Sequence, residues 1–125
     1  MYTVSVKRDL IAQHYLVGGD WGDENKPHSH HYAIDVRLES AELDEHGYLV
    51  DIVKIEEELQ SVIDYFGDKM LNDQPEFAGL NPSIEHFSRI VCEKLLKGIA
   101  PPGTGRFTVR MWENDSCWAS FTMAY

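Results

Sequence analysis

The sequence predicts an α+β fold: a four-stranded antiparallel sheet with two helices layered on one face, in the order β-β-α-α-β-β. Three observations carry that prediction. Apolar residues alternate with polar ones over 2–16, 28–40 and 107–113, the period of a half-buried strand. They recur instead at period 3.6 over 52–66 and 84–95, the stripe of an amphipathic helix. Gly, Pro, Asn and Asp cluster between these segments and mark the turns.

In the first strand Tyr2, Val4 and Val6 alternate with Thr3, Ser5 and Lys7, and the pattern continues more loosely through Leu10, Ala12, His14 and Leu16. These positions are all even, so His14 shares the inward face provided no bulge intervenes. Residues 18–27 are a loop by composition. A second strand over 28–40 turns Tyr32, Ile34, Val36 and Leu38 inward and Asp35, Arg37 and Glu39 outward. Glu42 to Tyr48 is polar and ends in a His-Gly turn. Asp51 is a good N-cap for a helix burying Ile52, Ile55, Leu59, Val62, Ile63 and Phe66. Its Glu56-Glu57-Glu58 run reads as a solvated face. Residues 67–79 form an irregular connection. The second helix starts near Asn81-Pro82-Ser83, a cap followed by proline in the first turn. It buries Ile84, Phe87, Val91 and Leu95, and stops at Gly98 and Pro101-Pro102. In the third strand Phe107, Val109, Met111 and Glu113 point inward. Asn114-Asp115 suits a two-residue hairpin turn, and the last strand runs from Cys117 to about Met123.

At 125 residues the chain is read as one domain, 1–125, with a modest core. A hydrophobic fraction of 43% and a charged fraction of 26% are those of a soluble globular protein. No apolar run approaches a membrane span and no signal-peptide pattern opens the chain, so the cytoplasm is the expected compartment. The two cysteines, Cys92 and Cys117, are read as free thiols and not as a disulfide framework. A net charge of −10 argues against a general nucleic-acid binder, though local cations could still hold a small anion.

The chemistry concentrates in Glu24-Asn25-Lys26-Pro27-His28-Ser29-His30-His31-Tyr32. His28 and His30 have the inward parity of Tyr32 and lie about 7 Å apart along an extended chain. A His-x-His pair also occurs in surface loops, but two neutral imidazoles on one face can grip a divalent metal, most naturally zinc. A strand–loop–strand hairpin would bring His14 beside them, giving the three ligands of a zinc with an open position. His31 has the opposite parity and is not expected to be a ligand. Glu113 places a carboxylate where a hydrophobe is expected. It is either a structural ion pair, a strand end exposed to water, or an anchor whose oxygens accept parallel N–H bonds from a planar edge such as that of a pterin or guanine. Glu24 alone is a surface glutamate; beside a zinc it becomes a general base. Glu85 sits in the first turn of a helix, where acids favour the dipole.

Taken in order, His14, then His28-Ser29-His30-His31-Tyr32, then Gly47-Tyr48-Leu49-Val50-Asp51, then Leu71-Asn72, then Asn81-Pro82-Ser83-Ile84-Glu85, then Trp112-Glu113 resembles the family of 6-pyruvoyltetrahydropterin synthase and its bacterial relative 6-carboxytetrahydropterin synthase. The resemblance spans nearly the whole chain. It implies the tunnelling fold, β2-α2-β2, with trimers stacked in pairs as a homohexamer. It implies Zn2+ on His14, His28 and His30, a pterin held by Glu113, and Glu85 as the acidic residue after a Pro-Thr motif in which Ser83 replaces threonine. The departures are informative. The family's loop cysteine is missing, and in the bacterial spacing Glu24 takes its place. A branch with glutamate there is associated with cleaving the side chain of dihydroneopterin triphosphate to a 6-hydroxymethyl pterin. The usual Asp-His pair is replaced by Gly67 and Asp68, and the middle glycine of His-Gly-His is Ser29. The resemblance thus implies a zinc-dependent lyase acting on 7,8-dihydroneopterin triphosphate or a related pterin, with Glu24, and Asp68 or His31, moving protons. The alternative is a pterin- or purine-binding homolog with little synthase activity.

Overall fold

In the computed structural model, which describes Met1–Tyr125, the two long alternating segments pair with each other along their full length. Strands β1 (Tyr2–His14) and β2 (His28–Ser40) run antiparallel from Tyr2 opposite Ser40 to His14 opposite His28, with no break in register. No bulge resets the parity, so every even position of both strands lies on one face. Helices α1 (Ile52–Phe66) and α2 (Ile84–Ile99) follow, then β3 (Arg106–Trp112) and β4 (Trp118–Ala124). The sheet order is β1-β2-β3-β4, each neighbouring pair antiparallel. This is the four-stranded α+β sheet with two helices that the alternation predicts.

The core lies between one sheet face and the helices. Tyr32, Ile34, Val36 and Leu38 of β2 and Phe107, Val109 and Met111 of β3 are fully buried. Ile55, Leu59, Val62 and Phe66 of α1 and Phe87, Val91, Leu95 and Ile99 of α2 join them in one apolar cluster. Burying this surface supplies the main stabilisation and pins the register that aligns the histidines. No helix is long and apolar enough to cross a membrane. Both cysteines are free thiols, Cys92 buried and Cys117 exposed.

Four local expectations are corrected. Ile52, at the first turn of α1, is 49% exposed: Asp51 caps the helix by accepting from the Val53 N–H, and the buried stripe begins one turn later. The cap of α2 is Ser83, whose hydroxyl accepts from the His86 N–H at 3.2 Å. Pro82 therefore precedes the cap, because the Asn81 side chain is spent elsewhere, on the Val17 N–H. Glu113 is not part of a strand, because β3 ends at Trp112, but its carboxylate still reaches the inward-face His30, at 3.3 Å. Trp112 pairs with Trp118, so the hairpin turn is residues 113–117 and not Asn114-Asp115 alone. Asn114 organises it, its side-chain oxygen accepting from the N–H groups of Ser116 and Cys117, both at 2.9 Å. The 67–79 connection contains two short 3-10 turns, Leu71–Asp73 and Pro75–Phe77, which bury Leu71 and Phe77.

Candidate metal centre

The end of the β1–β2 hairpin collects three imidazoles because the register leaves them nowhere else to point. His14, the last residue of β1, lies opposite His28, the first of β2, and His30 lies opposite Ala12 on the same face. The ring centroids are 4.5 Å apart for His14 and His28, 4.8 Å for His14 and His30, and 4.9 Å for His28 and His30. Glu24 joins from the loop, in a 3-10 turn over Gly22–Asn25. One ligand atom from each of His14, Glu24, His28 and His30 lies within 4.8 Å of the others.

Backbone carbonyls set the ring orientation. His14 Nδ1 donates to the Pro82 carbonyl at 2.9 Å, and His28 Nδ1 to the Lys26 carbonyl at 2.7 Å. A carbonyl only accepts, so Nδ1 carries the hydrogen on both rings and the Nε2 lone pair faces the cluster. His14 Nε2 is buried and has no hydrogen-bond partner, a costly arrangement unless a ligand meets it. His28 Nε2 lies 3.1 Å from His30 Nε2 and 2.9 Å from Glu24 Oε2. His28 Nε2 thus turns a lone pair toward the Glu24 carboxylate, a repulsion that a cation between them relieves. Two nitrogens bound to one tetrahedral zinc at about 2.0–2.1 Å stand roughly 3.3–3.4 Å apart, close to the spacing found. The donor set of imidazoles and a carboxylate is one that zinc accepts, so the residues fit the metal the sequence implies.

Tyr32 completes the surroundings. Its hydroxyl lies 3.3 Å from His14 Nδ1, and burial, reinforced by the charges of Glu113 and Glu24, holds its pKa far above the ordinary phenol value. Burial likewise pushes His14 below the usual imidazole value of 6.5; the Pro82 carbonyl opposes this, and His30 and His28 add to it. His14 is thus neutral where the unfolded chain is already protonated. At such a pH the unfolded state binds more protons, so stability rises with pH. The metal-free protein is expected to lose stability as pH falls from about 6.5 through the lower folded value, and to gain nothing from this group above 6.5. Urea midpoints between pH 8 and 5 check this, with His14→Gln losing that part of the dependence.

Glu113 and Glu24 are both brought to the imidazoles. The Glu113 carboxylate, half-buried just past β3, lies 3.3 Å from His30 Nε2. Glu85 is exposed in the first turn of α2. Asp68 is not brought to the cluster of this chain. It follows α1 with a left-handed φ of 59°, and its N–H donates to the Ile11 carbonyl at 2.7 Å. With Asp9, Ile11 and His31 it lines a cleft of about 610 Å³. His31 points outward, as its parity predicts, and pairs with Asp9 at 3.4 Å. Sequence reasoning missed Tyr32 as a neighbour of the centre and missed the carbonyls of Pro82 and Lys26. Tyr32 carried a signal, since it is the next inward residue after His30 and a buried hydroxyl needs a partner. The carbonyls carried none.

A four-stranded antiparallel sheet backed by two helices, with imidazoles gathered at one hairpin end, is a tunnelling-fold protein with a group able to hold a metal ion. Residues 3–124 match the model of the 6-pyruvoyl tetrahydropterin synthase family, and the chain belongs to that family. Among solved structures it is similar to the Caenorhabditis elegans 6-pyruvoyl tetrahydropterin synthase, at TM-score 0.79 and 23% identity over 98% of this chain and 97% of that one. It is similar to a catalytic-residue variant of the Plasmodium vivax enzyme, glutamate replaced by alanine, at TM-score 0.80 and 13% identity over 99% and 98%. An uncharacterized Wolinella succinogenes protein matches at TM-score 0.72 and 14% identity over 96% and 97%. At these identities the structures share the fold alone. A comparison with curated proteins gives no match.

Proposed function

We propose that the chain is a zinc-dependent lyase that cleaves the side chain of 7,8-dihydroneopterin triphosphate or a related pterin. The observation that carries the reading is the convergence of His14, His28, His30 and Glu24 within 4.8 Å, with Glu113 at their edge. Zinc held by the three imidazoles would polarise the side-chain oxygens and make their protons easier to remove. Glu24 takes the proton from the hydroxyl on the second side-chain carbon. The bond between the first and second carbons then breaks, its electron pair moving toward the ring, and the second carbon leaves as an aldehyde. Returning the proton to the first carbon gives the 6-hydroxymethyl pterin. The glutamate described as catalytic in the Plasmodium vivax protein supports a carboxylate in this role.

Glu113 anchors the pterin by accepting its N–H groups, and the ring lies at a subunit interface of a homohexamer built from two trimers. Glu113→Gln keeps the shape but loses the charge and one accepting oxygen, and is expected to weaken pterin binding by about 1.5–3 kcal/mol. Fluorescence titration checks this: equal affinity in variant and parent removes the anchor, and a monomer by light scattering removes the interface.

A second reading, a pterin-binding homolog with little turnover, draws on one observation: Asp68 and His31 line a cleft away from the imidazoles of their own chain. Mass analysis after incubating zinc-loaded protein with 7,8-dihydroneopterin triphosphate separates the two. A 6-hydroxymethyl pterin product supports the lyase. Bound but unchanged substrate refutes it in favour of the binding protein.

A further inference from the structure

A glutamate on a loop has no reason to face three imidazoles unless something fixes the loop. Here asparagine side chains fix it. The Asn25 oxygen accepts from the Trp21 N–H at 2.7 Å, and its amide donates to the carbonyls of Leu16 and Gly19, both at 3.0 Å. Both ends of the carboxamide are therefore used within one loop. The Leu16 N–H donates to the Glu24 carbonyl at 2.9 Å, tying the outgoing arm of the loop to the returning one. The outgoing arm is itself clamped to the body. Asn72 holds Tyr15 at both backbone groups, at 3.0 and 2.9 Å, as a strand neighbour would, and Asn81 accepts from the Val17 N–H at 2.9 Å. Glu24, one residue before Asn25, finishes with its carboxylate 2.9 Å from His28 Nε2.

We propose that Asn25 is a positioning residue: its carboxamide folds the returning arm of the loop onto the clamped arm and so aims Glu24 at the imidazoles. The proposal rests on the reading of Glu24 as the proton carrier. Asn25 bonds to Trp21, Leu16 and Gly19 and to none of the imidazoles; it acts through Glu24.

The test uses Asn25→Ala and Asn25→Asp. The aspartate keeps the acceptor for Trp21 but loses both donors, leaving an oxygen against the carbonyls of Leu16 and Gly19. In metal-free protein, amide hydrogen exchange is expected to show Leu16 protection falling at least about tenfold in both variants while Tyr15 keeps its protection, since local opening follows the lost bonds. In zinc-loaded protein, kcat is expected to fall at least about tenfold with KM little changed. In a Glu24→Gln background the same substitution should then cost less than about twofold, because residues acting as one unit are not additive. Unchanged Leu16 protection in both variants overturns the proposal. So does an equal loss of kcat with and without Glu24, which would mark Asn25 as merely structural. If Glu24→Gln alone leaves turnover at the parental level, the reading of Glu24 fails, and Leu16 exchange still decides whether Asn25 sets the loop.

Discussion

His14→Ala is expected to abolish zinc retention and to destabilise the metal-free protein as well. His14 is 1% exposed, its Nε2 faces the cluster, and its Nδ1 is held by the Pro82 carbonyl. Removing a partner that only orients a ligand costs 10–100-fold in metal affinity, so losing the ligand itself should cost at least about 100-fold. The substitution also strands the Pro82 carbonyl inside the protein, at about 1–3 kcal/mol for a polar group left without a partner. The His28 side chain is 24% exposed, against 1% for His14, so His28→Ala should lose zinc with a smaller effect on stability. That contrast separates metal loss from unfolding. His31→Ala is the control, since His31 is paired with Asp9 on the outward face. Metal assay after exhaustive dialysis reads all three. Full zinc occupancy in His28→Ala would remove the proposed centre.

Glu24→Gln is expected to keep zinc and lose turnover. Three imidazoles suffice for the metal, while the Glu24 side chain is 52% exposed, held at 2.9 Å from His28 and free to meet a substrate. Glutamine fills the same space and cannot take a proton. General base catalysis by a placed side chain contributes about 100- to 10,000-fold, and the loss should fall in that range with zinc content unchanged. Product formation by mass spectrometry measures it. Turnover equal to the parent would make Glu24 an ordinary loop residue, and Asp68→Asn and His31→Gln would be the next variants to make.

The centre was legible where the chain is regular. An alternation from Tyr2 to His14, interrupted at Arg8, and another from His28 to Ser40 pair in one unbroken register and fix which side chains share a face, and a buried face does not tolerate a one-residue slip. Parity puts His14, His28 and His30 on one face, and the hairpin register brings them together. Legibility failed at ends and turns. Asn81 and Ser83 are both good caps with Pro82 between them, and sequence does not say which one the Val17 N–H will claim. Glu113 continues the odd parity of β3, yet nothing in its residue type marks the strand as ending at Trp112. The turn after it is organised by Asn114 accepting from residues just beyond it, an arrangement that competes with a tight two-residue turn at equal composition. The spacing of Asp68 from Leu71-Asn72 is a pattern of the chain alone, and in the fold Asp68 lines the cleft with Asp9 and His31, away from the imidazoles of its own chain. The carbonyls of Pro82 and Lys26, which aim the rings, belong to the backbone and leave no mark on side-chain identity.

Zinc-edge X-ray absorption on protein loaded with one equivalent of zinc tests the metal centre most directly. The expected spectrum shows three imidazoles bound through nitrogen at about 2.0–2.1 Å with an oxygen ligand completing the shell, and loss of that imidazole shell in His14→Gln. A shell with fewer than three imidazoles in the parent protein, or one unchanged in His14→Gln, would contradict a centre built on His14, His28 and His30.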